Sequence, residues 1–223
     1  MGDGSEADVA AEPPTVVVET PHGPAHVHVQ RAAAPRGALV LGHGAGGGVT
    51  ARDLVAVTDA ALAERVSVGL VEQPYRVAGR RSPAPARQLD AAWIAVVERL
   101  LADELHGLPH VVGGRSSGAR VACRTAAATG AVGVLCLAFP LQPPPRVGAA
   151  ATPSRLPELD AVTVPTLVVQ GERDRFGLPP ATPLRTVVQV RGDHALRSDR
   201  EGVAAAVGPW LARVLATGER FPR

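Results

Sequence analysis

The feature that most constrains this chain is an alternation of short, continuous apolar runs with longer amphipathic stretches. An apolar run without polar alternation is typical of a strand buried on both faces, as in parallel sheets covered by helices on each side. The predicted strands are Ala38–Leu41, Val66–Val71, His110–Val112, Val132–Phe139, Thr166–Val169 and Thr186–Val190. The predicted helices, where apolar residues recur at helical spacing, are Ala51–Arg65, Ala86–Leu105, Ser117–Thr129 and Gly202–Leu215. The alternation predicts an α/β fold.

Two β-like runs precede this alternation and complete a set of eight strands. Thr15–Glu19 and Ala25–Gln30 flank the segment Pro21–Pro24, whose residues favour a turn, so we predict a β-hairpin. The remaining six strands, each followed by a helix or a loop, predict a mostly parallel sheet with helices on both faces.

The domain organisation follows from length and composition. A chain of 223 residues that is 46% hydrophobic can bury one substantial core, so we expect residues 15–223 to form a single domain and residues 1–14 a disordered tail. Two Pro-rich stretches, Pro74–Pro85 and Pro140–Pro157, are predicted loops. The second is too short for a large lid and can hold only a turn or one small helix.

The charge pattern does not favour a nucleic-acid partner. The formal net charge is +2, aromatic residues make up 3% of the chain, and the longest basic run is the pair Arg80 and Arg81. Nucleic-acid binders cluster basic residues on one face or in runs. We therefore expect no nucleic-acid partner.

Leader, membrane and cysteine signals all indicate a cytoplasmic protein. The first 14 residues carry acidic side chains and lack the basic and apolar regions of a secretory signal. No apolar stretch reaches the roughly 18 residues of a membrane span, so we expect no membrane partner. Cys123 and Cys136 are too few to form a disulfide framework for a chain of this size, and we expect both to be free, buried thiols.

The segment Gly114–Gly118, with sequence GRSSG, has the G-x-S-x-G pattern of a nucleophile elbow. It lies between a predicted strand and a predicted helix, which is the context that the elbow requires, and its glycines permit a sharp turn and close packing. Ser116 is therefore the predicted nucleophile. The alternative is a glycine-serine loop in which Ser116 or Ser117 caps the helix.

A base and an acid follow the serine in the chain order that such a fold requires. Of the seven histidines, only His194 follows Ser116, and it lies in the loop after the last strand. Asp174 follows the penultimate strand and is the predicted acid, with Glu172 and Asp193 as competitors. In the predicted triad Ser116 attacks a carbonyl, His194 transfers the proton, and Asp174 fixes the imidazole tautomer.

The Gly-rich segment Gly42–Gly48 follows the third strand, where its backbone can approach a substrate closely. We expect the oxyanion hole to combine the backbone N–H of Ser117 with that of Ala45 or Gly44. The alternative is a dinucleotide-binding loop, because the spacing G-x-G-x-x-G also occurs here. The segment lacks the Gly-Lys-Ser/Thr ending of a P-loop.

These motifs resemble a known family, the small α/β-hydrolase-like proteins related to dienelactone hydrolases, and more closely its KANSL and TEX branch with bacterial relatives. The resemblance runs from about Ala38 onward and rests on five segments: GHGAGG at 42–47, QPY and GRRSP at 73–83, GGRSSGAR at 113–120, QGERDRFG at 170–177, and GDH at 192–194. It implies a lidless eight-stranded α/β-hydrolase fold and hydrolase chemistry. The chain departs from the family pattern at Ser117, where many relatives carry Met, and at Arg175, where Pro is frequent.

Two classes of function follow from this pattern. The first is a serine hydrolase that cleaves an ester, thioester or lactone of a small acyl substrate through an acyl-enzyme, and the second is a catalytically silent binding or scaffold protein. We expect a monomer or a homodimer, with no cofactor. We also expect no metal, since His22, His26 and His28 follow a strand pattern and no H-x-x-x-H helix is present.

Residues in loops at the carboxyl ends of the strands are candidates for substrate contact. We expect His43, Tyr75, Arg80 and Arg115 to bind the substrate. An anionic substrate could pair with arginines there, although these arginines could equally be exposed loop residues. The arginines concerned are Arg76, Arg80, Arg81, Arg115, Arg173 and Arg175.

Overall fold

An eight-stranded sheet organises the computed structural model, which describes residues 14–143 and 152–218. The strands are β1 (Thr15–Val18), β2 (Ala25–Gln30), β3 (Gly37–Gly42), β4 (Val66–Glu72), β5 (His110–Arg115), β6 (Gly133–Leu137), β7 (Thr166–Gly171) and β8 (Arg185–Val190). The helices are α1 (Arg52–Ala63), α2 (Pro74–Val77), α3 (Ala86–Ala102), α4 (Ser117–Thr129), α5 (Leu156–Asp160) and α6 (Arg200–Gly218).

The strand order is β1-β2-β4-β3-β5-β6-β7-β8. The β1–β2 and β2–β4 pairs are antiparallel, and the other five pairs are parallel. The predicted fold class, an α/β-hydrolase fold with a mostly parallel eight-stranded sheet, is confirmed. Because β3, β5, β6, β7 and β8 run in one direction, their carboxyl ends lie along the same edge of the sheet.

Helices cover both faces of the sheet, which explains the continuous apolar runs of its central strands. On one face α3 and α4 bury a cluster that includes Trp93, Leu100 and Phe139. On the other face α1 and α6 bury a cluster that includes Leu54 and Leu211. The two clusters make a core on either side of the sheet, so the loops at the strand ends are supported from both sides.

The differences from the predicted elements lie mainly at their ends. Strands β4, β5 and β7 extend one to three residues beyond the predicted runs, because backbone pairing continues where the apolar pattern stops. The first Pro-rich stretch contains the short helix α2, and the second ends in α5. Except for Pro14, the predicted N-terminal tail lies outside the described residues.

Two features concern the state of the cysteines and the length and apolarity of the helices. Cys123 and Cys136 are buried and free, as predicted, with their sulfur atoms 3.5 Å apart. Within residues 14–143 and 152–218, none of the helices has the length and apolarity that a membrane crossing requires.

Candidate active site

Ser116 lies in a sharp turn between β5 and α4. Its dihedral angles are φ 51° and ψ −107°, a region that costs free energy for a residue with a side chain. The Ser116 N–H donates to the carbonyl of Leu137 at the end of β6, at 2.9 Å. A Cβ on Gly114 would lie 2.6 Å from the carbonyl oxygen of Gly42, so the turn requires the flanking glycine that the motif supplies.

The structure brings Ser116, His194 and Asp174 together in one relay. His194 Nε2 lies 2.9 Å from Ser116 Oγ, and His194 Nδ1 lies 2.8 Å from Asp174 Oδ2. An ionised carboxylate only accepts hydrogen bonds, so Nδ1 carries the proton and Nε2 accepts from the serine hydroxyl. The Asp174 side chain is 1% exposed and the His194 side chain is 21% exposed, which leaves the histidine accessible from the solvent side.

The acid position is taken by Asp174 and by neither of its competitors. Glu172 and Asp193 are exposed, and Asp193 Oδ1 accepts from the N–H of Ala195 at 2.9 Å, capping a turn. Asp174 Oδ1 accepts from the N–H of Phe176 at 2.9 Å. The Phe176 ring packs on the His194 imidazole with 4.4 Å between centroids, so the same short loop orients both groups.

The predicted oxyanion groups lie beside the serine. A Cβ on Gly44 would lie 3.7 Å from Ser116 Cβ, which places the Gly-rich loop against the nucleophile. Ser117 begins α4, where a backbone N–H has no acceptor within the helix. Within residues 14–143 and 152–218, no hydrogen-bond acceptor is found for the N–H of Gly44, Ala45 or Ser117.

His43 and Tyr75, predicted to contact substrate, form hydrogen bonds that support the Gly-rich loop. His43 is buried, its Nδ1 donates to the Gly44 carbonyl at 2.8 Å, and its Nε2 accepts from the N–H of Gln73 at 3.2 Å. Burial lowers the pKa of His43. The Tyr75 hydroxyl donates to the Ala45 carbonyl at 2.9 Å. Both polar groups therefore support the loop, and their predicted contact with substrate stays a prediction.

Arg115 also has a structural partner that the sequence did not reveal. Its Nε lies 3.0 Å from Oδ2 of the buried Asp53, and its Nη2 donates to the His194 carbonyl at 3.1 Å. Burial raises the pKa of Asp53, and the Arg115 charge opposes that rise. Arg115 therefore links the start of α1 to the histidine loop, and its predicted contact with substrate stays a prediction.

The other predicted arginines are spread over the loops. Arg80, Arg81, Arg173 and Arg175 are exposed. Arg80 lines a small cavity of about 100 Å³ together with Tyr75 and His22. Arg175 lies over the Phe176 ring, 5.2 Å from its centroid.

A larger cavity of about 490 Å³ lies next to the relay. Its lining includes Gly46, Ala195 and Arg115, which are neighbours in sequence of the oxyanion loop, His194 and Ser116, together with Arg52 and Arg197. Arg52 and Arg197 belong to no sequence motif, so no local pattern marks either of them. Within residues 14–143 and 152–218, no group of three or more His, Cys, Asp or Glu side chains is arranged to hold a metal ion.

Comparison with known proteins gives one family and several structural relatives. Residues 35–201 match the family model described as alpha/beta hydrolase domain. No curated protein matches the chain at a significant level.

Solved structures of similar fold cover most of the chain. A lidless α/β serine hydrolase from Xanthomonas campestris is 18% identical, with a TM-score of 0.72 over 91% of this chain and 95% of that one. Est1E from Butyrivibrio proteoclasticus, also known with ferulic acid bound, is 15% identical, with a TM-score of 0.72 over 91% and 99%. The esterase domain of a Rhodothermus marinus protein is 16% identical, with a TM-score of 0.66 over 90% and 98%. At these identities the likeness establishes a shared fold.

Proposed function

The chain belongs to the alpha/beta hydrolase domain family, and on that premise we propose that it is a serine hydrolase acting on an ester, thioester or lactone of a small acyl substrate. The observation that carries the proposal is the continuous relay from Ser116 Oγ through His194 to the buried Asp174 carboxylate, with contacts of 2.9 and 2.8 Å. A serine in hydrogen-bond contact with a base that a third group orients is the arrangement of an activated nucleophile.

The proposed reaction has two halves that use the same groups. Ser116 Oγ attacks the substrate carbonyl while His194 Nε2 takes the hydroxyl proton, and the C–O or C–S bond to the leaving group breaks as Nε2 returns that proton to it. Water then attacks the acyl-enzyme with His194 again acting as base, which releases the acid and restores Ser116. Asp174 stabilises the imidazolium in both halves.

The oxyanion of each tetrahedral intermediate is proposed to bind the N–H groups of Ser117 and of Ala45 or Gly44. Support comes from the free N–H groups at the start of α4 and in the Gly-rich loop. Backbone donors fixed before the reaction are effective because they need no reorganisation as charge develops. His43 and Tyr75 hold two carbonyls of that loop, so the donors are rigidly placed.

The cavity of about 490 Å³ beside the relay is the proposed place for one part of the substrate. Its volume suits a small molecule, and Arg52 and Arg197 at its wall would favour an anionic group there. This assignment moves the anion hypothesis from Arg80 and Arg81 to a different pair of arginines. The proposed steps use protein groups and a water molecule, and they call for no cofactor.

The narrower family assignment is also a proposal. The segments that resemble the dienelactone-hydrolase-related proteins and their KANSL and TEX branch contain the three relay residues and the Gly-rich loop. We infer that the chain is a bacterial-type member of that branch that uses its triad.

The test is reaction with a fluorophosphonate probe, followed by intact-protein mass spectrometry. We expect one label on the wild type, none on Ser116→Ala, and labelling slowed by at least about 100-fold in His194→Ala, because general-base assistance contributes on that order. Ser154→Ala removes a hydroxyl in an exposed loop before α5 and serves as the matched control, which should label at the wild-type rate.

Absence of labelling in the wild type would favour the second class of function, a catalytically silent binding or scaffold protein. If folded wild type is not labelled while its circular dichroism and melting are normal, the relay is not an activated nucleophile. The chain would then be a binding protein with a hydrolase fold, and both the catalytic triad and the acyl substrate would be rejected.

A further inference from the structure

Gln170 is a buried polar residue beside the relay, and the segment QGERDRFG that it begins gave it no role. It is the penultimate residue of β7 and is 0% exposed. Its Nε2 lies 2.7 Å from Asp174 Oδ2, 3.0 Å from the carbonyl of Phe139 and 3.0 Å from the carbonyl of Gly177. One amide nitrogen therefore joins the end of β6, the acid and the loop that follows the acid.

The orientation of this amide is determined by its surroundings. The three groups around Nε2 are carbonyl or carboxylate oxygens, which accept hydrogen bonds. A flipped amide would place Oε1 against those oxygens and lose every one of these bonds. Oε1 itself is buried and has no partner within residues 14–143 and 152–218. Among the described residues, Gln170 thus leaves its acceptor Oε1 unpaired, while its donor Nε2 contacts three acceptors.

The oxygen that Gln170 contacts is the same oxygen that faces the histidine. Asp174 Oδ2 accepts from Gln170 Nε2 at 2.7 Å and from His194 Nδ1 at 2.8 Å. The other oxygen, Oδ1, accepts from the N–H of Phe176. With two donors on Oδ2 and one on Oδ1, the carboxylate cannot rotate without breaking at least one of these bonds.

We propose that Gln170 is a positioning residue, whose carboxamide holds the Asp174 carboxylate in the direction that orients His194 toward Ser116. The inference rests on the proposed function, since it concerns how the relay is held in that function. Gln170 touches neither substrate nor the reacting atoms and acts through Asp174. Glu172 and Asp193, which are exposed, have no equivalent buried support, which explains why Asp174 is the residue that serves as acid.

The first variant to test is Gln170→Met, which keeps the length of the side chain and removes the donor. We expect the second-order rate of fluorophosphonate labelling to fall roughly 10- to 100-fold, because a small misplacement of a catalytic group costs rate on this scale. The matched control is Gln189→Met on β8, which lies opposite Gln170 in the strand register and is exposed. It should label at the wild-type rate.

A double-mutant comparison separates positioning from general stability. If Gln170 acts through Asp174, Gln170→Met should slow labelling strongly in the wild-type background and have little further effect in an Asp174→Asn background. A purely structural role predicts the same fold-loss in both backgrounds. Rates are normalised to the folded fraction, so partial unfolding cannot imitate the result.

Proton NMR of the His194 Nδ1–H gives a second measurement that does not depend on turnover. We expect its downfield resonance to shift or broaden in Gln170→Met and to remain in Gln189→Met. An unlabelled wild type would reject the proposed function itself. A labelled wild type with an unchanged rate and resonance in Gln170→Met would reject only the role of Gln170.

Discussion

The two sides of the relay are held in different ways. The direction of the Ser116 side chain follows from its own backbone angles, and the turn is held by backbone contacts. Its N–H bonds to the Leu137 carbonyl, and Gly114 and Gly118 pack directly against the backbone at Gly42. The turn itself is therefore held by backbone, and Ser116 Oγ meets the His194 side chain at 2.9 Å.

The acid and histidine depend on side chains from elsewhere in the chain. Their loops also meet backbone to backbone, since Gly171 packs against Asp193. The directions of the carboxylate and the imidazole, however, are set by the amide of Gln170 and by their own hydrogen bond, while Arg115 holds the His194 carbonyl. Changes on the serine side should therefore damage folding first, and changes on the acid side should damage reactivity first.

The largest expected effect tests the backbone packing of the serine side. In Gly118→Ala the new Cβ would lie 2.6 Å from the carbonyl carbon of Gly42 and also contact the His43 carbonyl oxygen. Backbone cannot move aside as a flexible side chain can, so we expect a loss of at least about 3 kcal/mol in the free energy of unfolding, or no folded protein. Urea denaturation measures it.

The control for this prediction is another glycine of the same region. A Cβ on Gly48 would meet nothing within 4 Å, so Gly48→Ala should change the free energy of unfolding by less than about 0.5 kcal/mol. Equal stability of both variants would contradict the view that close backbone packing holds the serine turn.

An intermediate effect is expected where the two sides are joined. Arg115→Met leaves the 1% exposed Asp53 carboxylate without its cation and frees the His194 carbonyl. We expect a loss of about 2 kcal/mol in the free energy of unfolding, because an unpaired buried charge is costly and Asp53 can relieve part of that cost by binding a proton.

The double variant Arg115→Met with Asp53→Asn sharpens this prediction. Removing both charges should recover much of the lost stability, while fluorophosphonate labelling should stay slower than in the wild type, since the histidine loop has lost its link. If stability is not recovered, the Arg115 side chain acts through its packing rather than through the ion pair.

The smallest expected effect is a pH dependence of the free energy of unfolding that comes from His43, on the serine side of the relay. Burial lowers the pKa of His43, so the folded state resists a proton that the unfolded chain accepts below about pH 6.5. The unfolded state then binds more protons, and the free energy of unfolding falls as the pH drops below about 6.5. Above that pH this contribution is constant.

His43→Gln isolates the contribution, since glutamine does not titrate. We expect the stability advantage of wild type over His43→Gln to shrink between pH 7 and pH 5.5 in urea denaturation. An advantage that stays constant or grows on acidification would show that His43 binds its proton as readily in the folded as in the unfolded chain.

Much of the candidate site could be predicted because its signals are local. The segment GRSSG between a strand and a helix predicted the turn at Ser116, and chain order predicted His194 and Asp174. The substrate contacts predicted at His43, Tyr75, Arg80 and Arg115 stay predictions. His43 and Tyr75 lie in loops at the correct edge of the sheet, but whether a loop side chain faces the cleft or the loop behind it depends on packing.

The sequence by itself determined the succession of strands and helices along the chain, the mostly parallel sheet with both faces covered, and Ser116 and His194 of the relay, and it favoured Asp174 over two competitors. Each of these depends on periodicity or on short motifs, and both are formed by residues that are close together in the sequence. Only the tertiary structure decided the roles of Gln170, Arg115 and His43. Their partners are set by contacts between distant segments, such as Arg115 and the His194 carbonyl 79 residues apart, and no local pattern encodes which distant groups will meet.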